Sequence, residues 1–290
     1  MDKLVQHTTT VLGTSLTSTL AATHNPAGKT ALTRTATLWF TITLLGQWVF
    51  AYFIVGFYGS STLQGNFEDW AKNKSLIKGY VPGDTAGNWA FAAHMLLAAI
   101  IVFAGVLQLV PQIRARALAF HRWNGRVFML AVLAASIGGL YLTWVRGTSR
   151  NLISALAISG DAVLIIVFAV LAWRTARARD IAAHRRWALR TFVVAGGVWF
   201  MRLGYFGWIL INQAPVGITK NMDGPFDRFI AFGCYLVPLA VLELYLRVKD
   251  AGSPRLRLST AAAMFACTGL MGVGIVGATL FLWMPLLAKA

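Results

Sequence analysis

The chain is short of charge. Asp, Glu, Lys and Arg supply 12% of its 290 residues, against about 25% in a soluble domain. That shortage excludes a soluble enzyme, and a hydrophobic share of 57% excludes a disordered chain, which lacks apolar residues to bury. Acidic residues are scarcest, 10 against 26 basic ones. Two cysteines, Cys234 and Cys267, fall in separate apolar stretches and form no disulfide framework. There is no phosphate-cradling Gly-rich loop, no His-Glu-x-x-His and no Gly-x-Ser-x-Gly elbow. Residues 1–34 are Ser/Thr-rich, contain His7 and His24, and lack the compact apolar stretch of a signal peptide.

What the chain has instead is long apolar runs and a mean hydropathy of +0.63. Crossing the hydrocarbon core takes about 20 mostly apolar residues. The runs predict seven helices near 37–58, 88–110, 122–145, 152–173, 187–211, 228–247 and 260–286. The expected fold is therefore all-α, a polytopic membrane bundle. A mobile cytoplasmic tail over 1–36 precedes one transmembrane domain over 37–290, with an outer loop at 59–87. The basic residues cluster between the apolar runs, which suits lipid headgroups and topology rather than nucleic acid. Arg114, Arg116, Arg122 and Arg126 surround the second loop; Arg174, Arg177, Arg179, Arg185, Arg186 and Arg190 surround the fourth; Arg247, Lys249, Arg255 and Arg257 surround the sixth. By the positive-inside rule these loops are cytoplasmic, the N-terminus is inside and the C-terminus outside. Arg146 and Arg150, in the third loop, run against that assignment.

An internal repeat accompanies the pattern. Arg114-Ala-Arg116-Ala-Leu-Ala-Phe-His121-Arg122 returns 63 residues later as Arg177-Ala-Arg179-Asp-Ile-Ala-Ala-His184-Arg185. The second and third predicted spans, and the fourth and fifth, then read as two parallel copies of one hairpin. The alternative is that any Arg-rich cytoplasmic turn looks this way.

Ionisable groups at membrane depth cost several kcal/mol, so each is a candidate site. Counting from the outer side, His94 lies about 9 Å and Asp161 about 14 Å deep, and Arg202 lies at a similar depth. They suit a buried Asp161–Arg202 ion pair that fixes helix packing, or an outward-facing ligand or proton site with Gln108 and His94. Helical phase places His94, Gly105 and Gln108 within about 40° of one line, His121, Gly125 and Gly139 on one face, and His184 with Arg202 on another. Histidines aligned with glycines suit a flat macrocycle; glycines alone also allow close helix approach. His121 and His184 share a membrane side and adjoin arginines. Two imidazoles from different helices are a six-coordinate haem b arrangement, for which Arg122, Arg126, Arg185 and Arg190 would neutralise propionates. The interfacial alternative is that these His-Arg pairs serve lipid phosphates and helix-end carbonyls. Trp39, Trp48, Trp89, Trp144, Trp208 and Trp283, toward the span ends, read as an aromatic belt.

Over residues 40–210 the chain resembles a bacterial family of membrane proteins catalogued as a domain of unknown function (DUF2306). The resemblance is carried by Gly87-Asn88, His94, Gly105, Leu107-Gln108, Arg114, His121-Arg122, Gly125-Arg126, Tyr141, Trp144, His184-Arg185-Arg186-Trp187-Ala188-Leu189-Arg190 and Arg202. It implies a multipass protein of the bacterial cytoplasmic membrane. More remotely, the His94…Leu107-Gln108…His121…Gly125-Arg126 spacing is similar to the transmembrane cytochromes b that pass electrons from ascorbate to ferric iron. That likeness implies haem ligation, although the first span has Gln47 where a histidine partner for His94 belongs. Three function classes follow as expectations. One is a haem b protein with His121 and His184 on the iron, passing electrons to a quinone or outer-side acceptor. The other is a transporter or receptor with a polar intramembrane pocket. A structural subunit of an oligomer or larger membrane complex is the third.

Overall fold

The computed structural model describes residues 26–73 and 79–289, and these are helical throughout, with no strand among them. The helices are α1 (Pro26–Phe53), α2 (Thr85–Leu109), α3 (Pro111–Arg116), α4 (Leu118–Trp144), α5 (Leu152–Arg177), α6 (Ile181–Ala195), α7 (Gly197–Asn212), α8 (Pro225–Ala251) and α9 (Pro254–Ala278). α1 continues through a π-helical turn, Ile54–Gly59, to Leu63; α9 continues through another, Thr279–Trp283, to Leu287. Six spans are long and apolar enough to cross a membrane, and α6 with α7 makes a seventh, bent by 48°. Their large apolar side chains point outward in quantity, Leu45, Tyr52, Phe103, Leu130, Ile137 and Val163 among them. That suits lipid as the surrounding solvent. The first span begins at Pro26, so residues 26–36, assigned above to a tail, continue the helix; residues 1–25 lie outside the described residues.

Thr-rich sequence is a poor helix former in water. Here Thr33, Thr37 and Thr41 each return their hydroxyl to the carbonyl four residues back, at 2.9–3.0 Å, so no hydroxyl is left unpaired against lipid. The chain divides into two compact units: the larger is Ile42–Leu242 with Gly269–Ala290, and the smaller joins the start of α1, up to Thr41, to Glu243–Thr268. In the smaller, Gly28 lets α1 approach the Pro254 carbonyl.

The larger unit holds two hairpins. α2 packs on α4 and α5 packs on α6, with α4 against α5 between them. Pro111 ends α2, because proline has no N–H to continue the ladder. Arg114 Nη1 then donates to the exposed carbonyls of Gln108 and Leu109 at 3.2 and 3.0 Å. In the second hairpin Arg179 takes a left-handed conformation (φ 61°) and Asp180 caps α6 by accepting from the Ala183 N–H at 3.0 Å. Each hairpin thus turns at an arginine-rich end, and His121 and His184 are each the fourth residue of the returning helix. Apolar packing between them is dense: Ala104, Phe128, Met129, Val132, Ala169 and Ala172 form a buried cluster that Trp187 covers.

At the opposite end of this unit Arg146 is structural, which explains why it defies the charge rule. Its side chain is 4% exposed; Nε lies 2.8 Å from Asp84 Oδ2 and Nη1 donates to the Gly79 carbonyl at 2.9 Å. Arg150 likewise donates to the Lys220 carbonyl at 2.8 Å, and Asn151 bonds the Asn221 and Met222 carbonyls. Asp84 also caps α2, accepting from the Gly87 N–H at 2.9 Å. The hydrogen bond from Arg146, then that from Gly87, hold its carboxyl below the usual carboxylate range. A depressed carboxylate contributes stability above its unfolded pKa of about 3.9 and loses it as pH falls through the lower folded value. Acid titration below about pH 4 is therefore expected to loosen the start of α2, a segment read by Trp89 fluorescence. Asp84→Asn should remove that transition and leave the segment looser at neutral pH.

Trp70, 1% exposed, plugs this end against Tyr58 and Phe91. Trp48, Trp89 and Trp144 are exposed as a belt requires, but Trp283 is not part of one. It is fully buried on Phe50 and Phe53, because the π-helical turn at Thr279–Trp283 rotates it inward.

Candidate buried polar sites

The sequence-derived polar residues separate into three places. At the arginine-rich end, Gln108 Nε2 donates to the His121 carbonyl at 3.1 Å and Asn124 Nδ2 donates to the Ala104 carbonyl at 2.9 Å, stitching α2 to α4. His184 Nδ1 sits 2.9 Å from the Ala172 carbonyl, which fixes its ring and leaves Nε2 free of that contact. His121 lies within electrostatic reach of His184 and Arg114, and its buried Nδ1 has no hydrogen-bond partner. Arg122, Arg126 and Arg185 are exposed, Arg126 lies over the Trp123 ring at 4.7 Å, and Arg190 lies over Trp187 at 4.5 Å. These are positions for headgroups and interfacial rings.

The glycines on the histidine-bearing faces meet neighbouring side chains. A Cβ on Gly105 would meet Phe128 at 2.9 Å and Phe192 at 3.2 Å; on Gly125, the Gln108 amide at 3.2 Å; on Gly139, His94 Cε1 at 3.3 Å. The glycines aligned with histidines are notches for neighbouring side chains.

His94 and Arg202 define the second place. His94 is nine residues into α2 and Arg202 is ten from the end of α7, about 14–15 Å along each helix at 1.5 Å per residue. Arg202 is 1% exposed. One nitrogen, Nη1, donates to the Val198 carbonyl at 2.9 Å, the guanidinium lies 5.2 Å from the Phe50 ring centre, and Nε has no partner. It forms no ion pair among the described residues. Its charge reaches His94 and Tyr58. Further buried atoms have no partner: His94 Nδ1, Trp199 Nε1, three residues before Arg202 on α7, and Oε1 of Gln47, three residues before Phe50 on α1. Tyr58 is held by Asn73, whose Nδ2 donates to the hydroxyl at 2.7 Å.

Asp161 is the third place, and the expected Asp161–Arg202 pair is not made. Asp161 Oδ2 lies 2.7 Å from where a Cβ on Gly197 would sit, so the carboxyl faces the start of α7. Residues 197 and 202 are about 140° apart around a helix, which turns the arginine away from α5. The shared face expected for His184 and Arg202 fails too, since the span breaks at Gly196 between them. Tyr58 and Trp199 went unrecognised in the sequence, and Gln47 was noted only as standing where a histidine partner for His94 belongs; the signal available was Gly196-Gly197 inside the fifth span.

Seven apolar crossings and charge buried between them define a polytopic helical membrane protein. The chain belongs to the family described as predicted membrane protein (DUF2306), whose profile matches residues 91–246. No curated protein and no solved structure matches it.

Proposed function

We propose that this protein binds, and carries across the bilayer, a small molecule whose carboxylate, phosphate or quinone-type oxygens are met by Arg202. The observation that carries the reading is a fully buried guanidinium without a carboxylate partner. Burying a charge costs several kcal/mol unless it is paired, and charge inside a membrane helix marks a ligand or ion path by default. Arg202 supplies the free Nε–H, Tyr58 and Trp199 add donors, and His94 donates or accepts according to its tautomer. Acceptor-rich anions match that set. The bend between α6 and α7 supports carriage, because a discontinuous helix gives a transporter both a hinge and exposed backbone. Arg146 and Arg150 being structural removes the exceptions to the charge rule, so the arginine-rich end faces the cytoplasm. The test is a thermal-shift panel of short carboxylates, phosphate esters and short-chain quinones on purified protein, followed by uptake into proteoliposomes. A stabilising compound whose effect vanishes in Arg202→Met supports the reading; equal responses in both proteins overturn it.

A second reading keeps haem b between His121 and His184. It is favoured by the equal helical positions of the two histidines and by the anchoring of His184 through Nδ1, the usual way a ligating imidazole is oriented. It requires Phe128 and Phe192 to give way. Protein from haem-replete cells would then show a Soret band lost in His121→Ala and His184→Ala; a colourless, folded preparation ends it.

A further inference from the structure

We infer that Asp161 is a small-cation site, taking a proton or Na⁺, built into the break of the fifth span. Its Oδ1 is fully buried with no hydrogen-bond partner, and the side chain forms no ion pair among the described residues. Asp161 lies nine residues into α5, about 14 Å along the helix. The groups facing it are known on each side. From α8 come Tyr235 and Cys234, neither of them basic. From the break come Gly196 and Gly197, which bring backbone instead of a side chain. Tyr235 is 3% exposed, with its hydroxyl against Gly160 and its Cβ beside Gly197.

A carboxylate here has one compensating feature, the N-terminus of α7 at Gly197. A helix N-terminus is worth roughly half a positive charge, so an ionised Asp161 stays under-compensated by about half a unit in apolar surroundings. A buried carboxylate in that position recruits a cation or a proton. The break also ends the α6 hydrogen-bond ladder inside the apolar interior, and non-helical backbone at membrane depth is tolerated where it lines an ion or solvent site. A Cβ at 197 would fall 2.7 Å from Oδ2 and 3.3 Å from the Tyr235 Cβ. The carboxyl is thus seated against backbone and not incidentally nearby.

The site is distinct from the Arg202 cluster, from which it is turned away on α7, and it does not depend on the ligand proposed there. The experiment uses the full chain in nanodiscs. Infrared difference spectra of native protein against Asp161→Asn are compared in H₂O and D₂O across a pH series. Thermal unfolding is compared in NaCl and in choline chloride. A deuterium-sensitive protonated-carboxyl band that is absent in Asp161→Asn assigns the proton. No such band, with Na⁺ stabilisation that is lost in Asp161→Asn, assigns Na⁺. An ionised carboxylate with no Na⁺ response overturns the proposal. Should Asp161→Asn not fold, Asp161→Glu replaces it, read by displacement of the band or of the Na⁺ dependence. Loss of the ligand response through Arg202 leaves these readouts untouched, so the two proposals fail separately.

Discussion

Arg202→Met is expected to unfold at a higher temperature than the native chain while losing its response to anionic or quinone ligands. The two effects have one cause. The guanidinium is 1% exposed, with a single hydrogen bond to Val198 and a ring contact with Phe50. A cation over an aromatic ring is worth about 2 kcal/mol when desolvated, less than the several kcal/mol that its own desolvation costs. Replacing a buried ion with an apolar side chain of similar volume is often neutral or stabilising by about 1–4 kcal/mol. Hydrogen bonds to a charged group contribute about 1.5–3 kcal/mol, so removing the guanidinium should weaken ligand binding by roughly 10- to 100-fold. A structural role predicts the opposite sign. If Arg202 neutralised a buried partner, its removal would orphan that partner and destabilise the protein by about 3–5 kcal/mol. Thermal unfolding with and without ligand therefore separates the two roles in one variant.

The spans were legible because length and apolarity are one-dimensional properties: four runs free of charge and three with a single ionisable residue gave seven crossings close to the observed helices. The break in the fifth span was hidden, since Gly196-Gly197 sits in a continuous apolar run and glycine is common in membrane helices. Counting residues placed His94 about 9 Å and Asp161 about 14 Å along their spans; α2 begins earlier than expected, at Thr85, so His94 is as far along its helix as Asp161 is along α5. Azimuth did not follow, because it depends on which helix each face meets. The 48° bend made an eighteen-residue phase argument from His184 to Arg202 meaningless. Gly105, Gly125 and Gly139 were read as room for a flat macrocycle or for close helix approach; what meets them is Phe128, Phe192, Gln108 and His94. A missing side chain shows that something approaches, not what it is. Arg146 carries the same lesson in reverse: it contradicted the charge pattern until its bonds to Asp84 and Gly79 supplied a reason.

Gly274→Val and Gly277→Val should destabilise the protein, whereas Gly272→Val in the same helix should not. In lipid the apolar tails solvate a leucine as well as another helix does, so helix pairs are held by close packing and not by hydrophobic burial. The packing of α7 on α9 is close because both contribute glycine: a Cβ on Gly207 would sit 3.1 Å from the Gly274 Cα. A Cβ on Gly274 would fall 2.7 Å from the Leu203 carbonyl oxygen, and one on Gly277 would fall 2.8 Å from that of Phe206. These are backbone atoms, which yield less readily than the end of a side chain. Overpacking costs about 1–3 kcal/mol where side chains can move, so the upper part of that range is expected here. Gly272 meets nothing within 4 Å and faces open space. Thermal unfolding in detergent, followed by size-exclusion fluorescence, compares all three at once. Leu203 and Phe206 flank Arg202 on α7, so forcing α9 away should also weaken the ligand response, including at temperatures where the Gly274→Val protein is still folded. Equal stability of the Gly272 and Gly274 variants would mean that α7 and α9 do not meet face to face, and the placement of Arg202 would fall with that contact.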